Sequence, residues 1–191
     1  VDIESWQRFL QARYKLRSRK TAADLDDVLN LVDAAIARDP NFARAHSLRA
    51  LALLLRPSWQ QGQAAFEAQR SNKPAGQETG EREATWSEAL VSANRALEID
   101  PGLGEPYAVR ALHAQAHNLY ADAYRNFREA VARAPSDPEI HNWYGGFLLD
   151  TGYLQAGWTE RQRAGELDPL SPLIAWHLGY AALIMGRADV I

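Results

Sequence analysis

Pro101, Pro135 and Pro169 stand 34 residues apart, and each follows an Ala- and Arg-rich run that reads as the end of a helix: 95–100, 128–133 and 163–168. No other feature constrains this 191-residue chain as much. Units of equal length that cannot bury an apolar face alone must stack on one another, so the period predicts an array of like helical units. The composition agrees. Ala and Leu dominate, Val and Ile are sparse, and 47% of the residues are apolar, a balance that disfavours a large sheet.

The same numbers exclude several function classes. A net charge of −3 provides no field to collect nucleic acid or anionic lipid. The longest apolar run, 50–55, is far short of the roughly 18 residues of a membrane span, and no stretch reads as a signal peptide. The absence of cysteine removes disulfides, Cys-bound zinc, iron–sulfur clusters and thiol nucleophiles. It leaves the compartment open, cytoplasmic or periplasmic.

Taken in order, 2–19 reads as a helix with Ile3, Trp6, Phe9, Leu10, Arg13 and Leu16 at helical spacing and a basic end, expected to be a solvated face. Thr21 with Asp24 forms a capping box for a helix to Arg38, which Asp39-Pro40 ends. A third helix is expected over 41–56, stopped by Pro57. The stretch 58–70 is expected to hold a short helix carrying Trp59 and Phe66, and 71–80 a mobile loop. Trp86, Ala89, Leu90, Ala93, Ala96 and Leu97 mark a helix over 83–98. The regular units then predict helices at 104–117, 120–133, 138–151 and 154–167, and Ser171-Pro172 starts another that Gly186 ends. The units are therefore about 1–40, 41–101, 102–135, 136–169 and 170–191. The second carries an insertion of an extra helix and loop over about 57–83, although a plain repeat over 41–74 is a rival parse.

With each terminal proline set at position 32, the units resemble the tetratricopeptide repeat (TPR) family. That family favours an aromatic at positions 4 and 24, small residues at 8, 20 and 27, and Gly at 15. The third unit has Tyr107, Ala111, Ala123, Phe127 and Ala130 at 4, 8, 20, 24 and 27. The fourth has Gly145, Gly152, Gly157 and Ala164 at 8, 15, 20 and 27, and the fifth has Gly179 and Gly186 at 8 and 15. Asn118 at 15 and Arg161 at 24 depart from the pattern. The resemblance implies an all-α solenoid of stacked antiparallel helix hairpins in a right-handed superhelix, with first helices lining a concave face. The segments 12–14 and 39–46 look more loosely like TPR regions of bacterial CadC-type transcriptional regulators and nucleotide cyclases.

Chemistry is sparse by comparison. There is no phosphate loop, HExxH, GxSxG or dinucleotide fingerprint. His113 and His117 stand four apart and share a helix face, but no carboxylate or third histidine follows at a matching spacing, so neither metal nor cofactor is assigned. His46 and His141 both occupy position 4, which favours packing over catalysis. Asn142, Asp150 and His177 are too spread in sequence to nominate an enzyme.

The TPR resemblance instead implies a non-catalytic protein- or peptide-binding groove. Its candidate residues are Leu112, Gln115, Glu139, Asn142, Trp143, Leu149, Asp150, Trp176, His177 and Tyr180. Trp143 and Trp176 serve either as ligand anchors or as packing between hairpins. A clamp for a peptide C-terminal carboxylate is disfavoured, since Asn142 has no Lys or Arg at matching groove positions across units three to five. The half unit at the end predicts exposed Leu178, Ala182 and Met185, as in a piece of a longer array, and with them a surface for self-association.

Overall fold

The structure, a computed structural model, describes residues 2–71 and 79–187. Among them are nine helices and no strand: α1 (Ile3–Arg17), α2 (Ala22–Arg38), α3 (Ala43–Ser71), α4 (Thr79–Ile99), α5 (Glu105–Ala116), α6 (Tyr120–Arg133), α7 (Pro138–Asp150), α8 (Leu154–Leu167) and α9 (Pro172–Ile184). Consecutive helices pack as hairpins, α1 on α2, α3 on α4, α5 on α6 and α7 on α8. Each second helix also touches the next first helix. First helices touch one another in order, α1–α3–α5–α7–α9, whereas no such contact joins the described second helices. The stack is therefore tighter along the first helices, which places them on its inner face. No described helix is long and apolar enough to cross a membrane.

The local signals that shape these helices recur with the period. Thr21 accepts from the Asp24 amide while the Asp24 carboxylate accepts from that of Thr21, a complete capping box. Asp137 and Ser171 cap α7 and α9, each with Pro at the first helical position. Position 15 ends each of three first helices in the left-handed region: Asn118 at φ 59°, Gly152 at 87° and Gly186 at 66°. Each sits in the same hydrogen-bond frame. Leu119, Tyr153 and Arg187 donate back five residues, to the carbonyls of Ala114, Leu148 and Ala182. Asn118 departs from the family residue but keeps its conformation, because Asn is the side chain that best tolerates this region.

Pro57 does not end the third helix. α3 runs on through it to Ser71, so the residues beyond Arg56 lengthen a helix instead of starting a new one. Proline removes one intrahelical donor and crowds the preceding turn. The indole Nε1 of Trp86, on α4, donates at 3.1 Å to the Leu54 carbonyl, next to the Leu53 carbonyl that loses its donor to the proline. The core of the expected loop, 72–78, and the last residues of the fifth unit, 188–191, lie outside the described residues.

Two further expectations change. The buried stripe of α1 is Ser5, Phe9, Ala12 and Leu16, while Ile3 and Leu10 are exposed. Phe9, Trp6 and Phe42 cluster with ring centroids 5.1–5.7 Å apart, so the aromatic contact with the residue just before α3 sets the rotation of α1. On α9, Ala182 is fully buried, and Leu178 and Met185 pack beside it against Trp158 and Leu149. The exposed apolar side of α9 is instead Leu173, Trp176, Tyr180, Leu183 and Ile184.

Candidate peptide-binding groove

The inner face carries a cleft lined from all five first helices: Arg13 and Leu16 from α1, Leu48 and Leu51 from α3, Glu105 from α5, Glu139, Asn142 and Trp143 from α7, and Leu173 and Ile174 from α9. Asp137 and Asp168 add carboxylates at its rim. Its free volume is about 60 Å³. Of the basic run at the end of α1, expected to be solvated, Arg17 and Lys20 are exposed, whereas two arginines turn to this cleft. Arg13 lies 3.9 Å from Glu105, and Arg19, only 5% exposed, pairs with Glu139 at 3.1 Å. Glu105 also accepts from the Ser47 hydroxyl at 2.9 Å. Burial and the neighbouring Asp137 charge hold the Glu105 carboxyl above its usual range, against the opposing pull of Arg13 and Ser47.

Behind the cleft lies a buried polar relay. Arg161 of α8 is 8% exposed and donates through Nη1 to the side-chain amide oxygen Oδ1 of Asn142. Asn142, itself buried, donates through Nδ2 to His177 Nδ1 at 3.0 Å. Two glycines make room for the guanidinium: a Cβ on Gly146 would stand 2.7 Å from Arg161 Nη2, and one on Gly145 3.0 Å from Cγ. Arg161 Nε has no hydrogen-bond partner among the described residues. Burial lowers the Arg161 pKa to about 10, with Asp150 opposing, so it stays charged at neutral pH. Burial and the Arg161 charge together push His177 down to about 4.

The ten residues suggested by the repeat frame divide accordingly. Glu139, Asn142 and Trp143 line the cleft. Trp143 is half-buried and packs into three core clusters, the packing role rather than a free anchor. Leu149 is buried against Trp158, Ala181 and Ala182 and offers no free face, and Leu112 is half-buried between two clusters. Gln115 donates to Asp150 at 3.3 Å. Asn142 and His177, distant in sequence, meet, while Asp150 bears on the relay only through its charge on Arg161. Trp176, 64% exposed, stacks on Tyr180 with ring centroids 5.9 Å apart and planes 5° from parallel. Two parts escaped the sequence reading. The Arg13 and Arg19 contacts bridge sites far apart in the chain and leave no local signal. Arg161 did leave one, the paired departures of Arg at 24 and Gly146 where the third unit has Leu112.

The position-4 histidines repeat one contact. His46 Nε2 and His141 Nε2 each lie 3.0 Å from the carbonyl of the proline six residues before, Pro40 and Pro135. In the third unit Tyr107 replaces the histidine. There Arg133 donates to the Pro101 carbonyl at 3.0 Å and lies over the Tyr107 ring. This settles position 4 as a structural element of the repeat.

No family model matches the sequence, and no curated protein does. Solved structures do resemble it. TTC0263, a thermophilic TPR protein of Thermus thermophilus, has a TM-score of 0.68 at 16% identity over 95% of this chain and 82% of that one. MamA from Desulfovibrio magneticus RS-1 has a TM-score of 0.51 at 14% identity, covering 98% of this chain and 89% of its own. The Naa15/Naa10 complex bound to HypK-THB has a TM-score of 0.53 at 14% identity, over 97% of this chain and 23% of that one. With the hairpin stack and the recurring position-15 turns, these likenesses show that the chain has the tetratricopeptide-repeat fold.

Proposed function

We propose that this chain is a non-catalytic scaffold whose inner cleft receives a side chain from a partner polypeptide laid along the first helices. The observation that carries the reading is the lining of the cleft, where Glu105, Asp137, Glu139 and Asp168 surround an apolar floor of Leu48, Leu51 and Ile174. A pocket that buries a small-molecule substrate runs to roughly 300 Å³ or more. This cleft holds about 60 Å³, enough for the end of a side chain. Even with Glu139 paired to Arg19, the carboxylates Glu105, Asp137 and Asp168 outnumber the two lining cations, Arg13 and Arg17, and burial makes Glu105 gain from a further positive neighbour. A basic side chain of the partner fits that site. The rest of the partner extends from Leu173 along the exposed Trp176 and Tyr180, which continue the same helical stripe. The fold likeness to the Naa15/Naa10 complex, which is bound to HypK-THB, is consistent with a scaffold role.

The test is fluorescence anisotropy with labelled peptide libraries that carry basic or acidic residues beside aromatic ones. Basic peptides are expected to bind, with Trp176→Ala weakening them by about tenfold, the cost of losing a modest anchor. Glu105→Gln is expected to weaken only peptides that carry a positive charge. Circular dichroism and melting of Trp176→Ala should stay near those of the unsubstituted chain, since most of that ring is in solvent. Equal binding of acidic and basic peptides, or affinities untouched by both substitutions, rejects the reading.

A further inference from the structure

The fold brings together three ligating side chains that the sequence keeps apart. Glu83 of α4 meets His113 and His117 of α5, with one ligand atom from each lying within 4.8 Å of the other two. Their surroundings decide the state of His117. Its Nδ1 stands 2.8 Å from the backbone oxygen of His113, which only accepts, so Nδ1 carries a proton. Nε2 then faces Glu83, 3.2 Å from each carboxylate oxygen. In a neutral imidazole this nitrogen is an acceptor, and acceptors on both sides of a gap call for a cation between them. A proton can fill that place, but it uses only one imidazole. His113 stacks on His117 with ring centroids 4.2 Å apart, and neither of its ring nitrogens bonds to a described residue. It therefore remains available as a further donor.

We propose that Glu83, His113 and His117 bind a divalent transition-metal ion of the zinc class, with two imidazoles and one carboxylate as protein ligands and water completing the shell. Three properties favour it. Histidines at i and i+4 present their rings on one helix face, as a metal pair requires. The bond from His117 Nδ1 to a backbone carbonyl is the outer contact that orients a ligating ring. Zinc bonds of about 2.0–2.2 Å place tetrahedral donors about 3.4 Å apart. The present donors need move inward by only an ångström or so. Glu83, 54% exposed, has the freedom to close that distance. Trp86 stands edge-on to both rings at 6.3 and 6.0 Å, and Arg82, the nearby cation, lies over the Trp86 ring at 4.8 Å. A bound ion would staple α4 to α5, joining the lengthened second hairpin to the first regular unit. The site is separate from the cleft and does not depend on how the cleft is used.

Calorimetric titration of the intact, chelator-treated chain with Zn²⁺ tests this, with Cu²⁺ quenching of Trp86 fluorescence as a local readout. One ion per chain is expected, with a micromolar dissociation constant. His113→Ala and His117→Ala should each weaken it by about 100-fold and Glu83→Gln by about 10-fold, while His46→Ala leaves it unchanged. Zn²⁺ should raise the melting temperature of the unsubstituted chain but not that of His117→Ala. Glu83→Gln alters an exposed side chain, so its circular dichroism should match the parent and keep the test clear of misfolding. Binding weaker than millimolar, or binding that survives the histidine substitutions, overturns the site. So does Cu²⁺ quenching that Trp86→Phe leaves undiminished.

Discussion

His177 and Arg161 are set against each other by burial. The imidazole accepts from Asn142 at Nδ1, and the charge of Arg161, one residue further along the relay, opposes a second proton on the ring. Its folded-state pKa of about 4 lies below the ordinary 6.5. Between these values the unfolded chain binds more protons than the folded one, so His177's contribution is complete above pH 6.5 and is lost as pH falls toward 4. His141 works in the opposite direction. Burial pulls its pKa down, but the Glu160 carboxylate at 2.6 Å and the Pro135 carbonyl outweigh that and raise it. Its contribution is present at low pH and lost as pH rises through its folded value. The two act on opposite sides of pH 6.5, His177 below it and His141 above it, so a whole-protein titration mixes them with every other group and a substitution is the cleaner measurement. His177→Asn retains an acceptor for Asn142 without the titrating ring. Its urea-unfolding free energy should fall less steeply from pH 6.5 to 4 than that of the unsubstituted chain, and matching slopes would refute the assignment. This relay was half legible. Position 24 showed that Arg161 was anomalous, but nothing in the sequence said that Gly146 would open a path for its guanidinium.

At the scale of helices, the repeat frame works because its small positions are steric requirements. α7 and α8 approach so closely that a Cβ on Gly157 would stand 2.8 Å from the Gly145 carbonyl oxygen and 2.8 Å from Leu149 Cγ. In the third unit Ala111 and Ala123 fill the same two positions and are fully buried, so that hairpin is spaced for a methyl group. Gly157→Ala should therefore cost about 1–3 kcal/mol, the range for overpacking a rigid contact, despite alanine's higher helix propensity. An Ala123→Gly control should also destabilise, by loss of packing and by backbone entropy. Denaturant midpoints for both variants check this, and a Gly157→Ala protein as stable as its parent would show that the hairpin can open without loss. Helix boundaries in the regular units were readable for the same reason: caps, prolines and left-handed turns are local chemistry. Pro57 defeats such a reading because the helix continues through it, although the proline leaves the Leu53 carbonyl without its intrahelical donor. The Trp86 indole reaches across to the Leu54 carbonyl, a partner that lies 32 positions along the chain.

Across the whole molecule, stacked repeats contact only their neighbours, and their stability is close to a sum over adjacent units. Arg19 breaks that rule. It leaves the turn between α1 and α2, hydrogen-bonds the Leu16 carbonyl at 2.7 Å, lies over the Trp59 ring, and reaches Glu139, 120 residues away, on α7. The helices α1 and α7 themselves are not in backbone contact, so this side chain carries the connection between them, while Arg13 reaches Glu105 on α5. A bond between the first and fourth units couples their unfolding and limits how far the stack can stretch. Arg19→Met keeps much of the apolar stem over Trp59 and removes the charge. Leaving Glu139 without its partner is expected to cost on the order of 1–3 kcal/mol. The more telling change is in cooperativity. The parent should unfold in one urea transition, while the variant should show a broader transition with a smaller m-value, the first unit separating before the rest. Small-angle scattering should find the variant more extended at low salt. High salt should move the parent little, because Arg19 is only 5% exposed and its pair is poorly screened. An unchanged m-value and radius of gyration in Arg19→Met would reduce the contact to local packing, and the array would then behave as a chain of nearest neighbours after all.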